Sequence, residues 1–80
     1  MSPRDAFFAR TDTVKPKQAA GRVSAELVTP YPPGIPAVAP GEAYNEAIIS
    51  YLEEIVAVGG FVEGAADQSL NTLRVVATAA

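Results

Sequence analysis

Between residues 42 and 58 apolar side chains return at intervals of three and four: Tyr44, Ala47, Ile48, Tyr51, Leu52, Ile55 and Val56. That spacing predicts one amphipathic α-helix. Glu42 and Glu46 near its start suit the helix dipole. Asn45 is available as a cap if the helix begins late, and Gly59-Gly60 end it. Residues 22–29 alternate instead, with Val23, Ala25, Leu27 and Thr29 on one side and Arg22, Ser24, Glu26 and Val28 on the other. A period of two predicts a strand whose cleaner apolar face is the Val23 side. Residues 61–63 and 73–76 are short and β-branched or aromatic, and predict two further strands joined by a loop over 64–71. Residues 14–21 predict a helix of little more than one turn, with Pro16 in its first turn and Gly21 past its end. Residues 5–9, with Phe7 and Phe8, suit a short strand or an extended arm packed onto something.

Thr29-Pro30-Tyr31-Pro32-Pro33-Gly34-Ile35-Pro36 interrupts these periodicities. Its prolines lack N–H donors and fix φ, which excludes a helix or a central strand. A stiff extended loop is expected, turning at Pro33-Gly34 in a type II turn, with Tyr31-Pro32 a candidate cis bond. Pro40-Gly41 marks a second turn. Helices and strands without a regular βαβ repeat predict an α+β class: one small domain over residues 1–80, with short strands, one long helix and a rigid proline-rich loop.

Composition then narrows the function. The chain has 80 residues, no Cys and no His. Disulfides, zinc–thiolate sites and imidazole ligands are excluded, and no oxidising compartment is required. A net charge of −3, without a block of like charge, argues against nucleic acid and against an anionic membrane surface. No apolar run is long enough to span a bilayer, and the first residues lack a signal-peptide core, so a cytoplasmic protein is expected. Hydrophobic residues make up 49% of the chain, and mean hydropathy is +0.16. Two consequences are open: an exposed apolar face that needs a partner, or a dense core of small Ala and Val side chains.

Catalytic groups are scarce. Ser24, Ser50 and Ser69 have no histidine base, and Lys15 and Lys17 flank a proline in a polar segment, where a Schiff-base lysine is not expected. Glu53 and Glu54 are adjacent and point to different sides of the helix. No spacing demands a metal, and no glycine-rich phosphate cradle is present. Glu26 stands out because it sits mid-strand beside the proline loop. It is either a plain outward residue or a partner for a cation, in an ion pair or against a substrate ammonium. Pro30-Tyr31-Pro32-Pro33 is also a weak PxxP match.

The stretch from Gly21 to Pro36, GRVSAELVTPYPPGIP, followed by Pro40-Gly41-Glu42, resembles the hallmark segment of the C-terminal domain of the ornithine/lysine/arginine decarboxylases, which are pyridoxal-phosphate (PLP) enzymes of fold type I. Ser2-Pro3-Arg4-Asp5-Ala6-Phe7-Phe8 looks like that domain's opening, and Leu70 to Val76 like its end. The resemblance implies an accessory domain, cut from a larger chain, whose parent binds PLP on a lysine that this chain lacks and forms a polyamine or its precursor. It implies packing on the catalytic domains of a homo-oligomer, near the active-site entrance. The candidate interface or entrance loop is Glu26, Pro30, Tyr31, Pro32, Pro33, Gly34, Ile35, Pro36 and Glu42. No catalytic, cofactor-binding or metal-binding residue is expected in the chain itself. A second reading is a free-standing interaction module that uses the proline loop. Whether the chain is an expressed fragment, a proteolytic remnant or a split gene product is left open.

Overall fold

A computed structural model describes residues 1–77. Its elements run α1 (Pro3–Phe8), β1 (Thr11–Val14), a 3-10 turn (Pro16–Gln18), β2 (Thr29–Tyr31), α2 (Glu46–Ala57), β3 (Phe61–Glu63) and β4 (Leu73–Val76). β1 pairs antiparallel with β4, and β2 pairs antiparallel with β3. Helix α2 contacts both strands of the β2–β3 ribbon. The core between these elements comprises Val28, Val38, Tyr44, Ile49, Leu52, Val62, Leu70, Leu73 and Val75, with Ala19 and Ala65. The class is α+β, as expected.

Helix α2 starts at Glu46, four residues later than the periodicity allows, because residues 42–44 are used otherwise. The Tyr44 N–H donates to the Arg22 carbonyl at 2.8 Å, and the Ser24 N–H donates to the Glu42 carbonyl at 2.8 Å. Asn45 therefore becomes the cap, its Oδ1 accepting the Ile48 N–H at 2.8 Å. The buried stripe is also rotated: Ile49 and Leu52 are buried, whereas Tyr51 is 42% exposed. At the other end the Gly59 N–H reaches the Val56 carbonyl at 3.2 Å and the Gly60 N–H reaches the Ile55 carbonyl at 2.8 Å. Gly59 takes φ +93°, which only glycine adopts cheaply, and the pair of bonds is a Schellman closure.

Three other expectations are corrected. Residues 3–8 form a helix, not a strand or arm: Ser2 caps it, accepting the Asp5 N–H at 3.1 Å, and Pro3 sits where a missing N–H costs nothing. Phe7 and Phe8 stay exposed, ring edge to ring face, with centroids 5.2 Å apart. The expected helix over 14–21 shrinks to the 3-10 turn, since Ala19 is drawn into the core and the Gly21 N–H leaves to bond the Tyr44 carbonyl at 2.9 Å.

The expected strand over 22–29 is the largest departure. The segment is extended but bends at residues 25–26, because the Ser24 hydroxyl accepts the Glu26 N–H at 3.0 Å and donates to the Glu26 carbonyl at 2.8 Å. A serine that satisfies its neighbour's backbone in this way competes with a ladder. The segment instead bridges two partners. The Ala25 N–H donates to the Arg74 carbonyl in β4 at 3.1 Å, while the Val28 N–H donates to the Val38 carbonyl at 2.9 Å. Regular pairing resumes only at β2, which runs through Pro30. A proline is tolerated there because the ribbon has two strands and each is an edge.

Candidate functional site

The alternation of residues 22–31 survives with its faces exchanged. Ser24, Glu26, Val28 and Pro30 point inward and are buried, whereas Leu27 is 46% exposed and Val23, Ala25, Thr29 and Tyr31 are half-buried. The expectation that Val23, Ala25 and Leu27 face the core is therefore reversed. The reason lies in what Glu26 does. Its Oε1 accepts the Ala66 N–H at 2.7 Å and its Oε2 accepts the Arg74 N–H at 3.1 Å. One carboxylate thus ties the bent segment to the β3–β4 loop and to β4. A buried carboxylate requires hydrogen-bond donors, and a charged acceptor gives stronger bonds than a neutral one. Glu26 is 7% exposed, so it is not an outward residue. Neither is it an ion pair: the salt bridge found among the described residues joins Arg22 to Asp12 at 3.0 Å.

Glu42 is exposed and closes the turn beside Gly41. Its Oε1 accepts the Ala39 N–H at 2.7 Å, and its own N–H returns to the Ala39 carbonyl at 3.0 Å. Gly41 has φ +94°, and a side chain there would strike the backbone of Met1 and Ser2, which cross over it. Glu42 and Glu26 are brought to the same part of the molecule through Ser24, which bonds the backbone of both.

The proline segment lies at the far end of β2. Pro30 is buried in the ribbon's inner face, while Pro32, Pro33, Ile35 and Pro36 are exposed. Tyr31-Pro32 is cis, and so is Pro32-Pro33. The reversal is wider than the type II turn expected: the Gly34 N–H bonds the Pro30 carbonyl, four residues back, at 2.7 Å. The Tyr31 ring lies over Gly34 and stacks on Phe61, with centroids 4.9 Å apart and planes at 12°. Its hydroxyl reaches Glu63 Oε2 at 3.5 Å.

Sequence reasoning placed a loop over 64–71 but missed the roles of Ser24, of Phe61 and of Asp67 within that loop. In that loop Asp67 accepts the N–H and hydroxyl of both Ser69 and Thr72. The Ser69 hydroxyl, ahead of the other donors, holds the Asp67 carboxyl below the usual carboxylate range. The Asp-x-Ser spacing was the available signal, since aspartate commonly bonds the backbone two residues on. The same loop puts Leu70 at φ +58°, a conformation that a leucine adopts only when its surroundings hold it. Leu70 is buried in the core.

At the Glu26 clamp lies an open depression of about 570 Å³, lined by Phe7, Ala25, Leu27, Pro40 and Ala66 together with Glu26 and Arg74. The Glu26 carboxylate there is engaged by the backbone N–H groups of Ala66 and Arg74. Among the described residues no three His, Cys, Asp or Glu side chains gather as a metal site. Lys15 and Lys17 are exposed, which does not fit a lysine that must hold PLP in a desolvated pocket. No described helix is long and apolar enough to cross a membrane.

The structure therefore defines a small α+β module that exposes Phe7, Leu27 and Phe61 on its ribbon side and glutamates on helix α2. A family model described as Orn/Lys/Arg decarboxylase, C-terminal domain, matches residues 1–64. Arginine decarboxylase of Bacillus subtilis (strain 168) is 46% identical over 76 residues, 95% of this chain and 16% of that protein. Lysine decarboxylase of Hafnia alvei is 34% identical over 71 residues, 80% of this chain and 10% of that protein. The solved structure of Escherichia coli constitutive lysine decarboxylase superposes with a TM-score of 0.73 at 27% identity, covering 96% of this chain and 13% of that one. The chain belongs to the C-terminal domain family of the Orn/Lys/Arg decarboxylases, and it spans about a sixth of the length of the B. subtilis relative.

Proposed function

We propose that these 80 residues act as the accessory C-terminal domain of a PLP-dependent decarboxylase of a basic amino acid, within a larger cytoplasmic chain that forms a polyamine or its precursor. Support comes from the family match taken together with length. The relatives named for this activity are several times longer than the segment they share with this chain. The decarboxylation itself belongs to the rest of the parent. Lys15 and Lys17 are exposed, so neither offers PLP the desolvated pocket that a Schiff-base lysine needs.

In this reading the domain packs on the catalytic domains of a homo-oligomer near the active-site entrance. Glu26 acts indirectly, by fixing the bent segment from which β2 and the loop of Pro30, Tyr31, Pro32, Pro33, Gly34, Ile35 and Pro36 project. Glu42 does the same for the turn at Gly41. The alternative, a free-standing module that presents a PxxP ridge, loses its motif, because Pro30 is buried. A ridge read by a partner's aromatic groove has to be accessible.

The test is the intact mass of the native gene product, captured from source cells through these residues. A product several-fold heavier than 8.3 kDa, absorbing as a PLP aldimine and releasing CO2 from ornithine, lysine or arginine, is expected. A product of 8.3 kDa with no decarboxylase polypeptide attached overturns the reading. The purified 80-residue chain is expected to release no CO2 from any of the three, with or without added PLP.

A further inference from the structure

The two sides of the module differ in kind. Helix α2 turns Glu46, Ser50, Glu53 and Glu54 to solvent, all exposed. The opposite side is the outer face of the β2–β3 ribbon and of the bent segment that feeds it. There Tyr31 and Phe61 stack at one end, Thr29 and its cross-strand partner Glu63 follow, then Leu27, and Phe7 closes the other end across the depression it shares with Leu27. Phe7 is 67% exposed, Phe61 57% and Leu27 46%. Meanwhile a serine and a carboxylate are buried on the inner side of the same segment. An extended segment that hides its polar residues and shows an apolar one leaves apolar surface in water, and a partner that covers the shown face gains the free energy of removing it.

We infer that this face, centred on Leu27 and bounded by Phe7 and by the Tyr31–Phe61 stack, docks against the remainder of the decarboxylase chain, with the depression beside Leu27 receiving an apolar side chain from it. The inference rests on the accessory-domain reading. It moves the contact from the exposed proline tip to the flat side of the ribbon. The occupant follows from the comparisons: the B. subtilis relative shares 76 residues with this chain, only 16% of its own length, so a body several times larger accompanies the module there. An aromatic stack and a largely apolar depression, separated by the Thr29–Glu63 pair and with Arg74 lining the depression, combine apolar anchors with polar groups as interfaces do.

Amide hydrogen exchange on the full native gene product tests this, compared with the 80-residue chain. Residues 25–31 and 61–64 should exchange at least ~10-fold more slowly in the full product than in the short chain, as expected for amides sealed under an interface. A full product carrying Leu27→Glu with Phe61→Glu should lose that protection, whereas Tyr51→Glu on the solvent side of α2 should keep it. The 80-residue chain with the same double substitution serves as the folding control, and its urea midpoint should stay close to the parent's because both positions are exposed. Equal exchange in the long and short chains overturns the docking face while leaving the accessory-domain reading intact. So does protection that survives the double substitution. A short chain that dimerises through Leu27, without extra protection in the full product, assigns the face to a second copy and also overturns the inference. A native product of 8.3 kDa with no decarboxylase polypeptide attached overturns the underlying reading instead.

Discussion

Helix α2 and the extended segment 22–31 both carry a clear apolar periodicity, and they use it in opposite directions. In α2 the stripe with Ile49 and Leu52 turns to the core and the glutamates turn to water. In the extended segment Ser24 and Glu26 turn inward and Leu27 turns out. The difference lies in where each element's backbone bonds go. A helix satisfies its own N–H and C=O groups, so apolar burial alone decides which side faces in. A bent extended segment leaves donors on its neighbours without partners. The N–H groups of Ala66 and Arg74 find theirs in the Glu26 carboxylate. These bonds are part-buried, and leaving such donors unmet costs up to about 1–3 kcal/mol each, comparable to the gain from burying one leucine side chain.

The comparison breaks most directly in the helix. Leu52→Ala removes a side chain that is 1% exposed and leaves a cavity in the core, beside Leu70 and Leu73. A loss of ~2–5 kcal/mol is expected, read from the urea midpoint. In a domain of this size that is a large share of the total stability. A loss under ~1 kcal/mol would mean that the stripe is not what holds α2.

Glu26 sharpens the other half. Glu26→Gln keeps the shape but replaces one acceptor oxygen with a donor facing an N–H, and a loss of ~1–3 kcal/mol is expected. Glu26→Leu is the sharper variant. If apolar burial set the facing of the segment, a leucine there would stabilise the fold. If the carboxylate sets it, the leucine strands both N–H groups and costs at least as much as the glutamine. The same urea titration decides between them.

Particular residues explain how far the sequence could be read. Helix α2, its Gly59-Gly60 ending, β3 and β4 were legible because their signals are local: a period, a β-branched run, a glycine at positive φ. The start of α2 was less so, because the bonds that hold residues 42–44 outside the helix come from residues 22–24. The reversed face of segment 22–31 was not legible, since nothing near Glu26 in the chain indicates that its partners sit at Ala66 and Arg74, 40 and 48 residues away. Helix α1 was missed although Ser2-Pro3 at its start is a local signal; the paired phenylalanines suggested burial that the domain alone does not provide. Glu26, singled out for a possible contact with a cation, proves to be a clamp on backbone. The composition was ambiguous between a dense core and an exposed apolar face, and the structure has both.

Tyr44 joins the two regions, since it precedes α2 and lies against Ser24 and Glu26, and it carries the smallest and most specific effect. Its side chain is 2% exposed, and its hydroxyl has no hydrogen-bond partner. Burial pushes its pKa up to about 12; the nearby Ser24 hydroxyl opposes this, although its own proton goes to the Glu26 carbonyl, and the Glu26 charge adds to it. In the unfolded chain the phenol ionises near its ordinary value of 10.0. Between that value and about 12 the unfolded state has lost its proton and the folded state has not, so stability is complete below pH 10 and falls as pH rises through this window. Tyr44→Phe removes a buried hydroxyl that bonds nothing, so near pH 7 its effect should be within about 1 kcal/mol and of either sign. Its signature is in the pH profile. The urea midpoint of the parent should decline above pH 10, and that of Tyr44→Phe should decline less, because Tyr31 and Tyr51 are more exposed and remain in both proteins. Parallel profiles would show that the hydroxyl has found a partner or solvent, and that the polar inner face of the extended segment is wetter than its burial implies.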